Sequence, residues 1–324
     1  MLAVLATTFP FFALVLCGWL AAESGRLPDA AIPGLNGFVL FFALPCLLFR
    51  FGRDTPLLEL LNPALLGVYL AAALLIVFFT IAVTRSPQLG MKDAALGALV
   101  AAFPNTGFMG VPLIVALLGA SAGGVVVSTI LADLFVTSSV CIALAQAGTH
   151  LRGERAAFVQ ALKAAGSNPL PWAIAVGAVL GGSGLELPGP LNKAIAMLGD
   201  AASPVALFTI GAVLSRSGRA NRAAGRTTPA RLYLPVAAIK LLLHPALVFA
   251  LATAARWLGA PLSQGQLVAL TLAAALPSAS NVSLLAERYG ADNGRIARII
   301  LASTAAAFLS FSALATLLIA PAAG

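Results

Sequence analysis

Apolar residues run along this chain in long blocks separated by short polar interruptions, too long and too uniform for strands or for amphipathic surface helices. A bilayer-crossing helix needs about 20 mostly apolar residues. On that rule the pattern predicts helices over 2–21, 32–52, 63–84, 92–119 and 123–147. After a polar stretch, 148–168, five more follow over 169–183, 190–214, 232–257, 263–287 and 295–319. No basic residues precede the first block, so it reads as a retained span and not as a cleaved signal peptide.

The fourth and ninth blocks are interrupted from within. The stretch from Ala101 to Pro112 carries Pro104, Asn105, Gly107 and Gly110 inside an otherwise apolar run. Pro104 has no N–H and its ring clashes with the carbonyl four residues back, so the helix should break there. Phe103, the residue before it, is pushed into extended backbone. A matching interruption lies at Leu276-Pro-Ser-Ala-Ser-Asn281. Either could be a simple proline kink. Two at corresponding positions point to a binding site, because irregular backbone at membrane depth is tolerated only where it is buried in protein or lines a cavity.

Composition settles the class. Of the 324 residues, 60% are hydrophobic and 9% charged, against about 25% charged in soluble domains, so this is an all-α integral membrane protein. A net charge of +8 suggests nucleic acid until the cations are mapped. With the N-terminus outside, the inner loops and span ends hold fourteen Lys and Arg and the outer ones four (Arg50, Arg53, Lys193 and Arg256). That is the positive-inside pattern; it argues against nucleic-acid binding and turns both termini outward. Cys17, Cys46 and Cys141 lie in apolar spans and read as free thiols. There is no His-Glu-x-x-His motif, and the chain holds two histidines, so a zinc enzyme is hard to assemble. No phosphate-cradling glycine loop appears either. No cofactor, metal or catalytic residue is expected, and the reading is not an enzyme.

The two groups of five spans divide the chain into 1–147, a central loop over 148–168, and 169–324. Five is odd, so if the halves are repeats they are inverted. Phe42-Ala-Leu-Pro45-Cys-Leu-Leu-Phe49 in span two echoes Ala201-Ala-Ser-Pro204-Val-Ala-Leu-Phe208 in span seven, each with phenylalanine four residues after proline. Span four has Pro104 and later Leu118-Gly-Ala120; span nine has Pro277 and later Tyr289-Gly-Ala291.

Breaking a helix frees N–H groups at the new N-terminus, where the macrodipole adds partial positive charge. Two half-helices starting near Pro104 and Pro277 would aim those ends at one point and offer a site for a carboxylate. Pro104, Asn105, Thr106, Gly107, Pro277, Ser278, Ser280 and Asn281 are the candidates there. The polar side chains among them either touch the substrate or merely satisfy freed backbone groups, as caps do. On the facing spans, Pro45, Cys46, Phe49 and Ser203 are candidates for the opposite wall. Asp133 in span five, and Lys240 with His244 one turn later in span eight, are charges at membrane depth. They serve either proton coupling and charge balance or a buried ion pair that holds the bundle together.

Pro104-Asn-Thr-Gly-Phe-Met-Gly-Val-Pro-Leu113 resembles the first crossover of the auxin efflux carrier family, which includes plant auxin exporters and bacterial malonate permeases. Ala275-Leu-Pro-Ser-Ala-Ser-Asn-Val-Ser283, Ala286-Glu-Arg-Tyr-Gly290, Ile300-Leu-Ala-Ser-Thr304, Phe42-Ala-Leu-Pro45 and Lys240-Leu-Leu-Leu-His-Pro245 extend the resemblance over essentially the whole chain. It looks like the short bacterial form, without the long cytoplasmic insertion of many plant exporters. The resemblance implies ten transmembrane helices in two inverted five-helix repeats, as in bile-acid symporters and some sodium/proton antiporters. Helices 1, 2, 6 and 7 would be a scaffold, often a homodimer; helices 3–5 and 8–10 would be a transport domain that moves as an elevator. The implied substrate is a small organic anion such as a carboxylate, crossing the bacterial cytoplasmic membrane. Lys240 would stand where related folds hold sodium. The alternative is a sodium or proton antiporter on the same scaffold, which would call for acids at the crossover where this chain has Asn and Ser.

Overall fold

Inside a bilayer every backbone polar group must be satisfied within the protein, and long apolar blocks do so by coiling into helices. The computed structural model describes residues 2–56, 61–147, 169–223 and 228–319, and among them the long elements are all helices. They are α1 (Leu2–Glu23), α2 (Ala31–Asp54), α3 (Pro63–Thr84), α4 (Met91–Ala102), α5 (Thr106–Leu118), α6 (Ala122–Gln146), α7 (Pro169–Ser183), α8 (Gly189–Ala223), α9 (Leu234–Trp257), α10 (Gln264–Ala275), α11 (Val282–Arg288) and α12 (Asn293–Ile319). Among the described residues, seven (α1, α2, α3, α6, α8, α9 and α12) are long and apolar enough to cross a membrane, and α5, α7 and α10 are shorter apolar helices. The predicted fourth block is α4 and α5, and the ninth is α10 and α11. The central stretch 148–168 and Arg226 lie outside the described residues.

Local sequence explains where the helices start. Asn62 Oδ1 accepts from the N–H groups of Ala64 and Leu65, and Pro63 takes the first helical position of α3, where its missing N–H costs nothing. Ser263 and Gln266 form a reciprocal capping box at the start of α10. One boundary differs from the apolar pattern: α8 continues to Ala223 instead of ending near 214. Its last turns are polar, and Arg219 anchors them through Glu23, Asp29 and the Ala22 carbonyl.

Four helices contain one widened turn each, at Val39–Ala43, Thr106–Gly110, Asp133–Thr137 and Ile239–Leu243. Three of them immediately precede a proline at the second position of the next turn, Pro45, Pro112 and Pro245. Proline cannot donate to the ladder, and an i→i−5 bond from its neighbour (Leu44 to Val39, Val111 to Thr106, His244 to Ile239) keeps the helix going past it. The fourth begins at Asp133, with no proline nearby.

Helices α1 and α8 lie against each other, as do α2 and α7, along glycine seams. A methyl group on Gly18 would stand 1.8 Å from the Phe208 carbonyl oxygen, and one on Gly211 would stand 1.9 Å from that of Val15. In the other pair, Gly52 meets the Ile174 oxygen at 2.4 Å and Gly177 meets that of Phe49 at 2.2 Å. Small residues are what allow membrane helices to approach this closely, where no water is released to drive association.

The half-helices α4 and α10 occupy the middle of the molecule. Every residue from Ala94 to Ala102 is buried, and so is every residue from Leu267 to Ala275. Helices apolar on all sides belong in such a position. Their C-terminal ends carry the two breaks into the interior.

Candidate functional site

The two breaks meet there and pair. Pro104 and Ser278 form an antiparallel bridge: Asn105 N–H donates to the Pro277 carbonyl at 2.8 Å, and Ala279 N–H donates to the Phe103 carbonyl at 3.0 Å. Phe103 is extended (φ −97°, ψ 100°), as the residue before proline should be. Ser278 N–H donates to Ser303 Oγ of α12, which ties the second break to the neighbouring helix. The pairing satisfies part of the freed backbone, and the remainder has a clear pattern. Thr106 N–H turns back to Pro104, while the Asn105 carbonyl accepts from Met109 and Gly110. Among the described residues, the N–H groups of Gly107, Phe108, Ser280 and Asn281 make no hydrogen bond. Gly107, Phe108, Ser280 and Asn281 are half-buried, and backbone N–H groups withdrawn from water are seldom left unpaired, so four free ones around one crossing offer donors to an acceptor.

A cavity of about 30 Å³ opens beside them, lined by Pro104, Asn105, Thr106, Gly107 and Phe108 from the first break and Ala279 and Asn281 from the second. Leu40 and Leu44 of α2, Leu170 of α7, and Ile130 and Leu134 of α6 close it. Asn105 is 5% exposed, and its side-chain amide makes no hydrogen bond among the described residues. Asn281 Oδ1 and Ser278 Oγ are buried without a partner. A second cavity, about 70 Å³, shares Leu40, Phe108 and Asn281 with the first and extends between α2, α8, α11 and α12, where Ser280 also lines it. No carboxylate lines the first cavity, so its polar groups are neutral donors and acceptors.

The structure thus gathers Pro104, Asn105, Thr106, Gly107 and Asn281 around one space, with Pro277 and Ser278 behind it in the pairing and Ser280 on the adjoining side. It does not bring Pro45, Cys46, Phe49 and Ser203 to either cavity. Those four are half-buried among helices, and the Phe49 carbonyl lies on the α7 seam. On the same two helices, the residues that line the cavities are Leu40 and Leu44 of α2, the latter directly before Pro45, and Ile210, Val213 and Leu214, later in α8 than Ser203.

Asp133, Lys240 and His244 are all fully buried, and they form a chain of contacts and not an ion pair. Asp133 accepts from Tyr69 Oη at 2.7 Å and from Thr137 Oγ1 at 3.0 Å. The Tyr69 ring lies 6.1 Å from the His244 ring, and His244 Nδ1 is 3.1 Å from Lys240 Nζ. Lys240 donates to the Ala274 carbonyl at 2.7 Å. That carbonyl belongs to the last turn of α10, just before the second break, where the helix dipole favours a cation. Tyr69 and the Ala274 carbonyl were not foreseen. A lone tyrosine in an apolar run reads as an interface anchor, and a backbone carbonyl leaves no trace in sequence.

Among the described residues, no cluster of His, Cys, Asp and Glu could hold a metal ion. Residues 3–315 match the family described as "Membrane transport protein". A curated relative from Rhizobium meliloti (strain 1021), named "Putative malonate transporter", is 27% identical over 307 residues, covering 94% of this chain and 92% of that protein. A paired, uncharged crossover within a bundle of apolar helices is consistent with such a role, and with the match over nearly its whole length the chain belongs to the membrane transport protein family, that of the auxin efflux carriers.

Proposed function

We propose that the protein is a secondary carrier of small organic anions, carboxylates such as malonate or auxin-like acids, and that the crossing of the two breaks holds the substrate carboxylate. The observation that carries this reading is the set of unpaired N–H groups at Gly107, Phe108, Ser280 and Asn281 beside the neutral amides of Asn105 and Asn281. Such a site offers hydrogen bonds and partial positive charge without a fixed cation, so an anion can bind and then leave. The relative's printed name supports a three-carbon dicarboxylate as the first candidate.

In the same reading the chain forms ten spans in two inverted five-helix repeats, and the interior contacts support that arrangement. Val15 and Gly18 of α1 meet Phe208 and Gly211 of α8 as Ile174 and Gly177 of α7 meet Phe49 and Gly52 of α2, always with the same three-residue spacing. Exchanging span one with six and two with seven maps one seam onto the other. Equivalent breaks pairing antiparallel are also what an inverted repeat produces. The seams make α1, α2, α7 and α8 a stiff scaffold, often a dimer in this family. The remaining helices form the part that moves, as an elevator, across the bacterial cytoplasmic membrane with both termini outward.

Buried Asp133, Tyr69, His244 and Lys240 form the candidate coupling group, because protonatable side chains at membrane depth commonly serve as relays. The test is uptake into proteoliposomes from a panel of carboxylates, with and without a pH gradient. Saturable uptake of one acid supports the carrier reading, and a pH-gradient response lost in Asp133→Asn assigns coupling to the buried group. Sodium or proton flux with no movement of any carboxylate would favour the antiporter alternative.

A further inference from the structure

The larger cavity contains a cation that the crossover does not use. Its lining includes one basic side chain, Arg216 of α8, and one acidic side chain, Glu287 of α11. Arg216 follows Val213 by three residues and shares its face of the helix, so its guanidinium stands on the same wall as Ile210 and Val213. It is half-buried, yet it makes no hydrogen bond or ion pair among the described residues. Arg219, three residues further along α8, is by contrast engaged with Glu23 and Asp29. Glu287, on the opposite wall, is exposed and also has no side-chain partner. A partly desolvated guanidinium against an apolar wall loses hydration unless a ligand replaces it.

We infer that Arg216 binds the second carboxylate of a dicarboxylate whose first carboxylate lies at the crossover, and that it thereby selects diacids over monoacids. This rests on the carrier reading above. Asn281 lines both cavities, so a short diacid held at the breaks extends its far end into the space that Arg216 faces. A planar guanidinium matches a carboxylate with two parallel hydrogen bonds. Glu287 lines the same cavity and repels an incoming carboxylate, so its removal strengthens binding of the diacid.

The experiment compares uptake of malonate and of monomethyl malonate by wild type, Arg216→Gln, Arg216→Lys and Glu287→Gln in proteoliposomes. A charge-assisted carboxylate contact contributes roughly tenfold to a hundredfold in affinity. Arg216→Gln is expected to raise the malonate KM by at least about tenfold and to leave the half-ester KM within about twofold. Arg216→Lys should give an intermediate malonate KM, and Glu287→Gln should lower it. The inference is overturned if both substrates weaken together in Arg216→Gln, or if the preference for malonate survives in it. Should Arg216→Gln fail to fold, unchanged malonate preference in both Arg216→Lys and Glu287→Gln overturns it equally. Wild-type protein that carries the half-ester and not malonate, or neither of them, would refute the Arg216 role; the carrier reading itself falls only if no carboxylate of the wider panel is carried.

Discussion

Replacing Gly177 with alanine tests the reciprocal seams at the level of a single methyl group. The new Cβ would stand 2.2 Å from the Phe49 carbonyl oxygen and 3.0 Å from both the Arg53 nitrogen and the Phe49 carbonyl carbon, where ordinary contact begins near 3.4 Å. The obstacle is backbone on a rigid helix, so no side chain can swing aside and α2 and α7 must separate by about 1 Å. Overpacking of this kind costs about 1–3 kcal/mol, and the upper end is expected because a helix must move. Gly182, near the end of the same helix, has nothing within 4 Å of its would-be Cβ. There alanine should be neutral or stabilising, by up to about 1 kcal/mol, through helix propensity alone. By the symmetry of the seams, Gly18→Ala should resemble Gly177→Ala, since its methyl would meet the Phe208 carbonyl at 1.8 Å. Reversible unfolding in mixed micelles, with all three variants beside the wild type, reads these differences directly. If Gly177→Ala and Gly18→Ala were as stable as Gly182→Ala, the close approach and the stiff scaffold built on it would both be refuted.

Three further outcomes follow from the buried groups. Tyr69→Phe removes the donor to Asp133 Oδ2 and should cost about 1–3 kcal/mol of stability in the same assay, since it leaves a buried acceptor unpartnered; no loss would mean that the acid is satisfied otherwise. In a double-mutant cycle, Asp133→Asn and Lys240→Met should be non-additive by about 0.5–3 kcal/mol, because the two charges share one enclosed network through Tyr69 and His244; strict additivity would show two independent sites. Gly97→Ala pushes a methyl to 2.6 Å from Arg295 Nη1 and should destabilise the native protein more than the same change made in an Arg295→Ala background, measured by thermal unfolding; equal effects would place the guanidinium elsewhere.

The helices were legible because hydrocarbon thickness sets one length and one chemistry, and the blocks over 63–84 and 169–183 coincide with α3 and α7. The breaks were legible because proline cannot donate at Pro104 and Pro277. That they bond to each other, Asn105 to Pro277 and Ala279 to Phe103, was not, because backbone pairing between segments so far apart in sequence follows from the packing of the whole bundle, α4 against α3 and α6, and α10 against α9 and α6. The echo of Pro45 with Pro204 points to the helices that line the cavities without naming the lining residues, Leu40, Leu44 and Ile210 among them, since periodicity fixes neither the rotation nor the level of a helix against its neighbour. Its phenylalanines had another meaning: the carbonyls of Phe49 and Phe208 are the surfaces on which Gly177 and Gly18 pack. The charged residues Asp133 and Lys240 stood out in the sequence, and their direct partners did not, because one is a hydroxyl in an apolar run and another a carbonyl.

The central claim is that a carboxylate is held where the two breaks cross, and saturable carboxylate uptake by Asn105→Ala beside wild type in proteoliposomes tests it most directly. Asn105 is expected to donate to the bound anion without holding the fold together, since its side chain makes no bond within the described residues. The account therefore predicts that the variant folds with wild-type stability and loses uptake by about tenfold or more, the weight of one charge-assisted hydrogen bond. Uptake by a folded Asn105→Ala protein at the wild-type KM and rate would contradict it and would put the substrate somewhere other than the crossover.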